Sequence, residues 1–192
     1  MSPGGHLVTT VAACAAAQAL TGCWPLTAGV AAGGFLIDVD HAVDYLLFER
    51  SRALTPGAFL RHYVEGRTRH LVLLLHSYEL FALLGLVAWW TGAVPLLGYL
   101  MGALMHLALD VIFNGQLTPR SIAAFYSFAY RASHRFDATA LLGPPVFAPA
   151  GSFWPAFFRG AVPGDASKTA SSARAWGPVL RRAARSLANL PS

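Results

Sequence analysis

What most constrains this chain is where it carries no charge. Residues 1–37 contain no Asp, Glu, Lys or Arg, and residues 71–113 contain only Glu79 and Asp110. Charged residues make up 12% of the chain and hydrophobic residues 55%. A soluble domain carries about twice that charged fraction. Long uncharged runs of this kind predict an integral membrane protein built of helices.

Two acidic, histidine-bearing segments interrupt the pattern. One is Asp38-Val39-Asp40-His41; the other is His106-Leu107-Ala108-Leu109-Asp110. Ionisable groups in apolar surroundings persist when they are paired, bound to metal or placed along a polar cavity. These residues, with His6 and His76, are therefore the expected site of function.

The length of 192 residues suits one domain with a real core. The net charge of +5 is unevenly spread. Segment 49–70 holds Arg50, Arg52, Arg61, Arg67 and Arg69 against Glu49 and Glu65, and residues 115–192 are also basic. Basic loops stay cytoplasmic and attract anionic lipid headgroups, so membrane lipids are the expected partners. No aromatic and basic interleaving accompanies the charge, and no nucleic-acid partner is expected. Cys14 and Cys23 read as packing cysteines rather than a disulfide framework.

Glycine and proline at Thr21-Gly22-Cys23-Trp24-Pro25 break the N-terminal apolar region. The expectation is helices over 6–20 and 25–37, each too short to cross a bilayer core of about 30 Å, folded as a hairpin. Short helices follow near 41–50 and 56–66. Longer ones cover 71–91 and 95–113, the first ending in Trp89 and Trp90, and another covers 119–133. Pro144, Pro145, Pro149 and Pro155 argue against regular helix beyond 143, although the nearby aromatic residues suit an interface. A linker over 160–175 and a basic amphipathic helix over 176–190 complete the chain. The expected division is a helical membrane domain over 1–137 and an interfacial and tail segment over 138–192. No internal repeat is evident.

With segment 49–70 inside the cell, helix 71–91 runs outward and helix 95–113 returns. His76, His106 and Asp110 then lie near the inner face. The N-terminal hairpin brings His6 and Asp38 to the same depth. His106 and Asp110 are one turn apart on a helix face and can grip one cation. His6, Asp38, His41, His76, His106 and Asp110 are the candidate metal ligands, enough for two cations with open positions. Imidazole with carboxylate suits zinc, manganese or iron. Asp40 and Glu79 are the candidate acid–base groups, Glu79 also as an orienter of His76. Asp44 reads as a solvated helix face, and Arg131, His134 and Arg135 as surface cations. A lone His-x-x-x-Asp is commonly just an internal pair, and Asp-x-Asp a cap. Their joint occurrence in an apolar chain favours metal.

The motifs resemble those of the YdjM-like family, described as LexA-binding, inner-membrane-associated, metal-dependent hydrolases of bacteria. Gly5-His6-Leu7 resembles the family's opening GHL, and Ile37 to His41 its PDIDH segment. His76-Ser77 is similar to the end of its HRGxTHS motif, although His70 stands one place out of register. Leu97-Gly98-Tyr99, His106 to Asp110 and Leu117-Thr118-Pro119 resemble its LGYLSHxxxDxxTP stretch. The resemblance implies a likeness to the all-helical phospholipase C and P1-type nuclease folds, and hydrolysis of a phosphoester, by analogy. The expected protein is thus a multi-pass, all-α inner-membrane hydrolase with a divalent metal, zinc foremost, near the cytoplasmic face. Its expected substrate is a phosphoester of a lipid or its headgroup. The alternative is a membrane scaffold in which the same polar cluster packs helices and a protein partner is recruited.

Overall fold

A computed structural model describes residues 1–114, 121–143 and 152–160. The described residues form ten α-helices with no strand. The described residues are all-α, as expected.

Four helices position the site. Helix α1 (Pro3–Thr21) is capped by Ser2 and stops at Gly22, whose φ of 60° suits glycine. Helix α2 (Trp24–Gly34) returns antiparallel to it. Helix α5 (Tyr78–Thr91) is capped by Ser77 and stops at Gly92 with φ 63°. Helix α6 (Val94–Phe113) returns along it. Both turns read Thr-Gly-x-x-Pro, and in both the threonine hydroxyl accepts a hydrogen bond from the N–H two residues on. The proline falls in the first turn of the following helix, where its missing N–H costs nothing.

The two hairpins are therefore a repeat, contrary to expectation. Thr21 and Thr91, Gly22 and Gly92, Pro25 and Pro95, His6 and His76, and Asp40 and Asp110 share one sequence offset. The repeat escapes a sequence reading because the apolar positions between these residues are filled differently.

Helices α2 and α6 lie parallel with their backbones in contact. A Cβ on Gly29 would stand 2.2 Å from the carbonyl of Pro95, and one on Gly33 would stand 1.9 Å from that of Tyr99. Reciprocally, a Cβ on Gly98 or Gly102 would meet the carbonyls of Leu26 and Val30 at 2.2 and 2.3 Å. Each helix thus offers a Gly-x-x-x-Gly face to the other, an arrangement that allows close helix approach.

Between the hairpins the chain makes a 3-10 turn (Leu36–Asp38), then α3 (Val39–Leu47) and α4 (Pro56–Val64). The expected helix over 71–91 begins only at Tyr78. Acidic side chains capture the N–H groups that helix would have used: Asp44 accepts from Val72 and Leu73, and Asp40 from Leu75. Buried Arg131 satisfies the carbonyls, donating to Val72, Leu73, His76 and Phe125. Segment 71–77 is thus a pinned loop that turns at Leu73 to His76, where the His76 N–H donates to the Leu73 carbonyl. Asp44, expected in solvent, is buried in this role, and so is Arg131, expected at the surface.

The expected helix over 119–133 is broken into α7 (Ile122–Phe125) and α8 (Phe128–Ser133), with Ser127 capping the second. Helix α9 (Ala138–Leu142) buries Ala138 and Leu141 in the main core with Ile37, Leu73, Phe81, Leu107 and Phe125. The core therefore crosses the expected boundary at 137. Helix α10 (Phe153–Arg159) forms despite Pro155, which sits in its first turn. It closes on α1, where the carbonyl of Phe158 accepts from the Ser2 hydroxyl. The expected linker and basic tail, and Leu117-Thr118-Pro119, lie outside the described residues.

Among the described residues, only α6 is by itself long and apolar enough to cross a membrane. The pair Trp24–Gly34 and Leu36–Leu47, bent by 44°, would qualify as one broken span. Helix α5 has 14 residues, about 21 Å, short of a hydrocarbon core of about 30 Å. A multi-pass bundle is thus not supported by helix length, because the acidic captures of 71–77 remove two turns from the expected span.

The glycine contact is testable. Gly33→Ala should lower stability by about 1–3 kcal/mol or more, since the added methyl meets backbone that cannot turn away. Gly85→Ala, which meets nothing within 4 Å, should be neutral or stabilising by up to about 1 kcal/mol. Thermal unfolding of the purified variants measures both.

Candidate metal centre

Five stretches of chain meet at one end of the two hairpins: the start of α1, the 3-10 turn with α3, the end of the pinned loop, and α6 beside the last turn of α2. His6, Asp40, His76, His106 and Asp110 are all buried there. Asp38 and His41 are the partly exposed members, with side chains 30% and 28% accessible. The structure thus brings together all six sequence-predicted ligands and Asp40.

The histidines are held from behind. His76 Nδ1 lies 3.0 Å from Asp40 Oδ2, and His106 Nδ1 lies 2.9 Å from the carbonyl of Gly34. Ionised carboxylate and carbonyl only accept, so both Nδ1 atoms carry the proton. In a neutral imidazole Nε2 is then a lone pair. The two Nε2 atoms face one another at 3.2 Å. Asp38 Oδ1 completes the triangle, 3.4 Å from His106 Nε2 and 3.5 Å from His76 Nε2.

With both imidazoles neutral, three acceptors surround one point, and one cation can be shared by all three. Without an ion, protons on the imidazoles supply the positive charge that faces Asp38. Ligand atoms about 2.0–2.1 Å from a tetrahedral ion stand about 3.3–3.4 Å apart. The triangle has those dimensions, so the residues fit a metal. Burial opposes charge on His76, but Asp38 and Asp40 outweigh it, and its pKa is raised to about 10. The site thus favours positive charge even without an ion.

Two further groupings share these residues. His6, His106 and Asp110 form one, and Asp40, His41 and His76 another. Asp110 Oδ1 is 3.0 Å from His6 Nε2, and its Oδ2 is 3.4 Å from His106 Nε2. Asn114 Nδ2 also donates to Asp110 at 2.8 Å. The rings of His6 and His106 stack at 3.6 Å. The pairing is crossed between the hairpins: His6 of the first meets Asp110 of the second, and His76 of the second meets Asp40 of the first. His41 stands farther out, its Nε2 3.8 Å from Asp38 Oδ1, with Tyr63 against its ring edge. Buried His/Asp groups able to hold a metal ion are therefore present.

The two expected acid–base groups have other work. Asp40 uses its oxygens on His76 and the Leu75 N–H, making it an orienting group. Glu79 accepts from the Ser127 hydroxyl and from the N–H groups of Phe128 and Ala129. It caps α8 and holds the helix that carries Arg131. Sequence reasoning missed Arg131, Asp44, Asn114 and the Gly34 carbonyl as supports of the site. Asn114 could have been noticed one turn beyond Asp110; the Gly34 carbonyl leaves no side-chain signal at all.

Asp40→Asn keeps the shape of the acceptor but removes its charge, so His76 becomes a weaker ligand. The expected result is a loss of metal affinity of about tenfold or more with the fold retained. Competition against a chromophoric chelator, together with circular dichroism, measures the two effects.

No protein-family model matches the chain, and no curated protein or solved structure shows significant similarity to it, so the expected likeness to phospholipase C and P1-type nuclease folds finds no support there.

Proposed function

We propose that this protein is a metal-dependent hydrolase of a phosphoester, working at the inner face of the bacterial cytoplasmic membrane. The observation that carries the reading is the triangle of His76 Nε2, His106 Nε2 and Asp38 Oδ1, with edges of 3.2, 3.4 and 3.5 Å. Zinc is the favoured ion, because two imidazoles and a carboxylate leaving a position open are a familiar catalytic zinc set. When bound, the cation supplies a Lewis acid and activated water at neutral pH.

The chain's own residues prepare that chemistry. Asp40 keeps the proton on His76 Nδ1 and so directs the Nε2 lone pair into the site. The Gly34 carbonyl does the same for His106. Asp110 pairs with the Met1 ammonium, holds His6 against the stacked His106 ring and offers its second oxygen to His106. Asp38, partly exposed, is the ligand that a substrate meets first. The resemblance of the motifs to those of the YdjM-like family is the ground for hydrolysis, and phosphoester chemistry enters by analogy. The membrane setting is supported by α6 and by the scarcity of charge in the two hairpins, which carry only Glu79 and Asp110. The inner face is supported by the arginines of 49–70, which lie on the chain between Asp38 and His76, both in the site.

The test joins metal content to turnover. Purified protein should hold at least one transition metal per chain by elemental analysis. Asp38→Ala should lower that content. Asp110→Asn should cut release of phosphorylated headgroups from a mixed-lipid panel by about tenfold or more while the protein stays folded. Protein that binds neither zinc nor manganese on reconstitution, and is equally stable without them, would leave the scaffold reading in place.

A further inference from the structure

Helix α3 is amphipathic in reverse. Its acidic residues Asp40 and Asp44 are buried, one turn apart, together with Tyr45. Its outward stripe is apolar: Val39, Val43, Leu46 and Leu47 are all exposed, and Leu36 of the preceding turn continues the line. A helix in water places these groups the other way round. The reversal follows from the site, because Asp40 must reach His76 and Asp44 must hold the pinned loop. That explains the buried acids, but it gives no reason for the apolar outer stripe.

Three observations say what covers the stripe. It adjoins Leu54 and the arginines Arg50 and Arg52, all exposed, just beyond the end of α3. An apolar face with arginines at its margin complements the anionic boundary of a lipid layer. The large apolar residues of the hairpins, among them Val8, Val11, Leu83, Leu86, Met101 and Leu104, are exposed as well, so this surface is not confined to α3. Finally, the two partly exposed ligands, Asp38 and His41, lie on this same turn and helix, interleaved with Leu36 and Val39. The opening of the metal centre is thus edged by the apolar stripe.

We infer that the outer face of α3 lies in the lipid at the membrane boundary, and that the metal centre is entered from the lipid past Asp38 and His41. The substrate is then a membrane amphiphile. Its chains lie along Leu36, Val39, Val43 and Leu47, and its phosphorylated headgroup turns in toward Asp38 with Arg50 and Arg52 near its charge. The substrate part rests on the hydrolase reading; the lipid contact does not.

Two measurements separate these parts. In the full chain, with Cys14 and Cys23 replaced by alanine, nitroxide labels are placed at Val43→Cys, Leu47→Cys and Arg52→Cys. The protein is reconstituted in phosphatidylethanolamine and phosphatidylglycerol vesicles. Relaxation enhancement at 43 and 47 should be greater from oxygen than from a water-soluble nickel chelate, and at 52 the order should reverse. Greater access of the nickel chelate at 43 and 47 would overturn the lipid contact. So would low access to both reagents, which with dipolar broadening means a second copy on the face and without it another part of this chain. In the second measurement, Leu47→Glu should lower hydrolysis of vesicle phospholipid at least tenfold. Bound metal and hydrolysis of soluble p-nitrophenyl phosphate should be unchanged. Equal turnover of vesicle lipid by Leu47→Glu and the unaltered chain would overturn entry from the lipid. If the unaltered chain hydrolyses neither compound, the hydrolase reading falls, and the nitroxide result still decides the contact.

Discussion

Everything at the buried His/Asp cluster depends on the backbone contact between α2 and α6. Four glycines let the two helices approach until carbonyls meet the places where side chains would stand. At that separation the last carbonyl of α2, from Gly34, reaches His106 on α6. The bond fixes which nitrogen of His106 carries the proton and where its lone pair points. A wider spacing would leave His106 unsupported and its Nε2 free to turn away from His76. The crossed pairs His6–Asp110 and His76–Asp40 depend on the same contact, because each joins one hairpin to the other.

The repeat explains why the ligands converge. Each repeat supplies a histidine in or just before its first helix (His6, His76) and an aspartate in or just beyond its second (Asp110, Asp40). When the inner helices pack in register, each histidine faces the partner hairpin's acid. The hairpins then differ where the centre needs asymmetry. Asp38 and His106 have Ala108 and Leu36 at the equivalent positions. Those two unshared residues, with His76, form the triangle.

Much of the site was legible in the sequence because charge is rare there. Six candidate ligands stood out, since an apolar helix has no use for residues such as His106 or Asp110. The Thr-Gly-x-x-Pro breaks placed the turns of both hairpins within a few residues. What could not be read were effects of one segment on another. Residues 71–77 carry an apolar, helix-compatible pattern, and only the carboxylates of Asp40 and Asp44, far away in sequence, draw their N–H groups out of a helix. Arg131 looks like any surface arginine until its guanidinium is seen spanning four carbonyls. The Gly-x-x-x-Gly faces were visible as letters, but only packing gives them a partner. The pattern of α3 reads as ordinary amphipathy with the usual face inward, and the loop it supports reverses it.

The central claim is that two imidazole nitrogens and a carboxylate oxygen converge on one cation. X-ray absorption spectroscopy of zinc-reconstituted protein tests it directly. The account predicts an inner shell of nitrogen and oxygen only, at about 2.0–2.2 Å, with the outer-shell scattering of at least two imidazole rings, and loss of one ring's contribution in His106→Ala. A shell containing sulfur, a shell of oxygen without imidazole, or a spectrum unchanged by His106→Ala would contradict it.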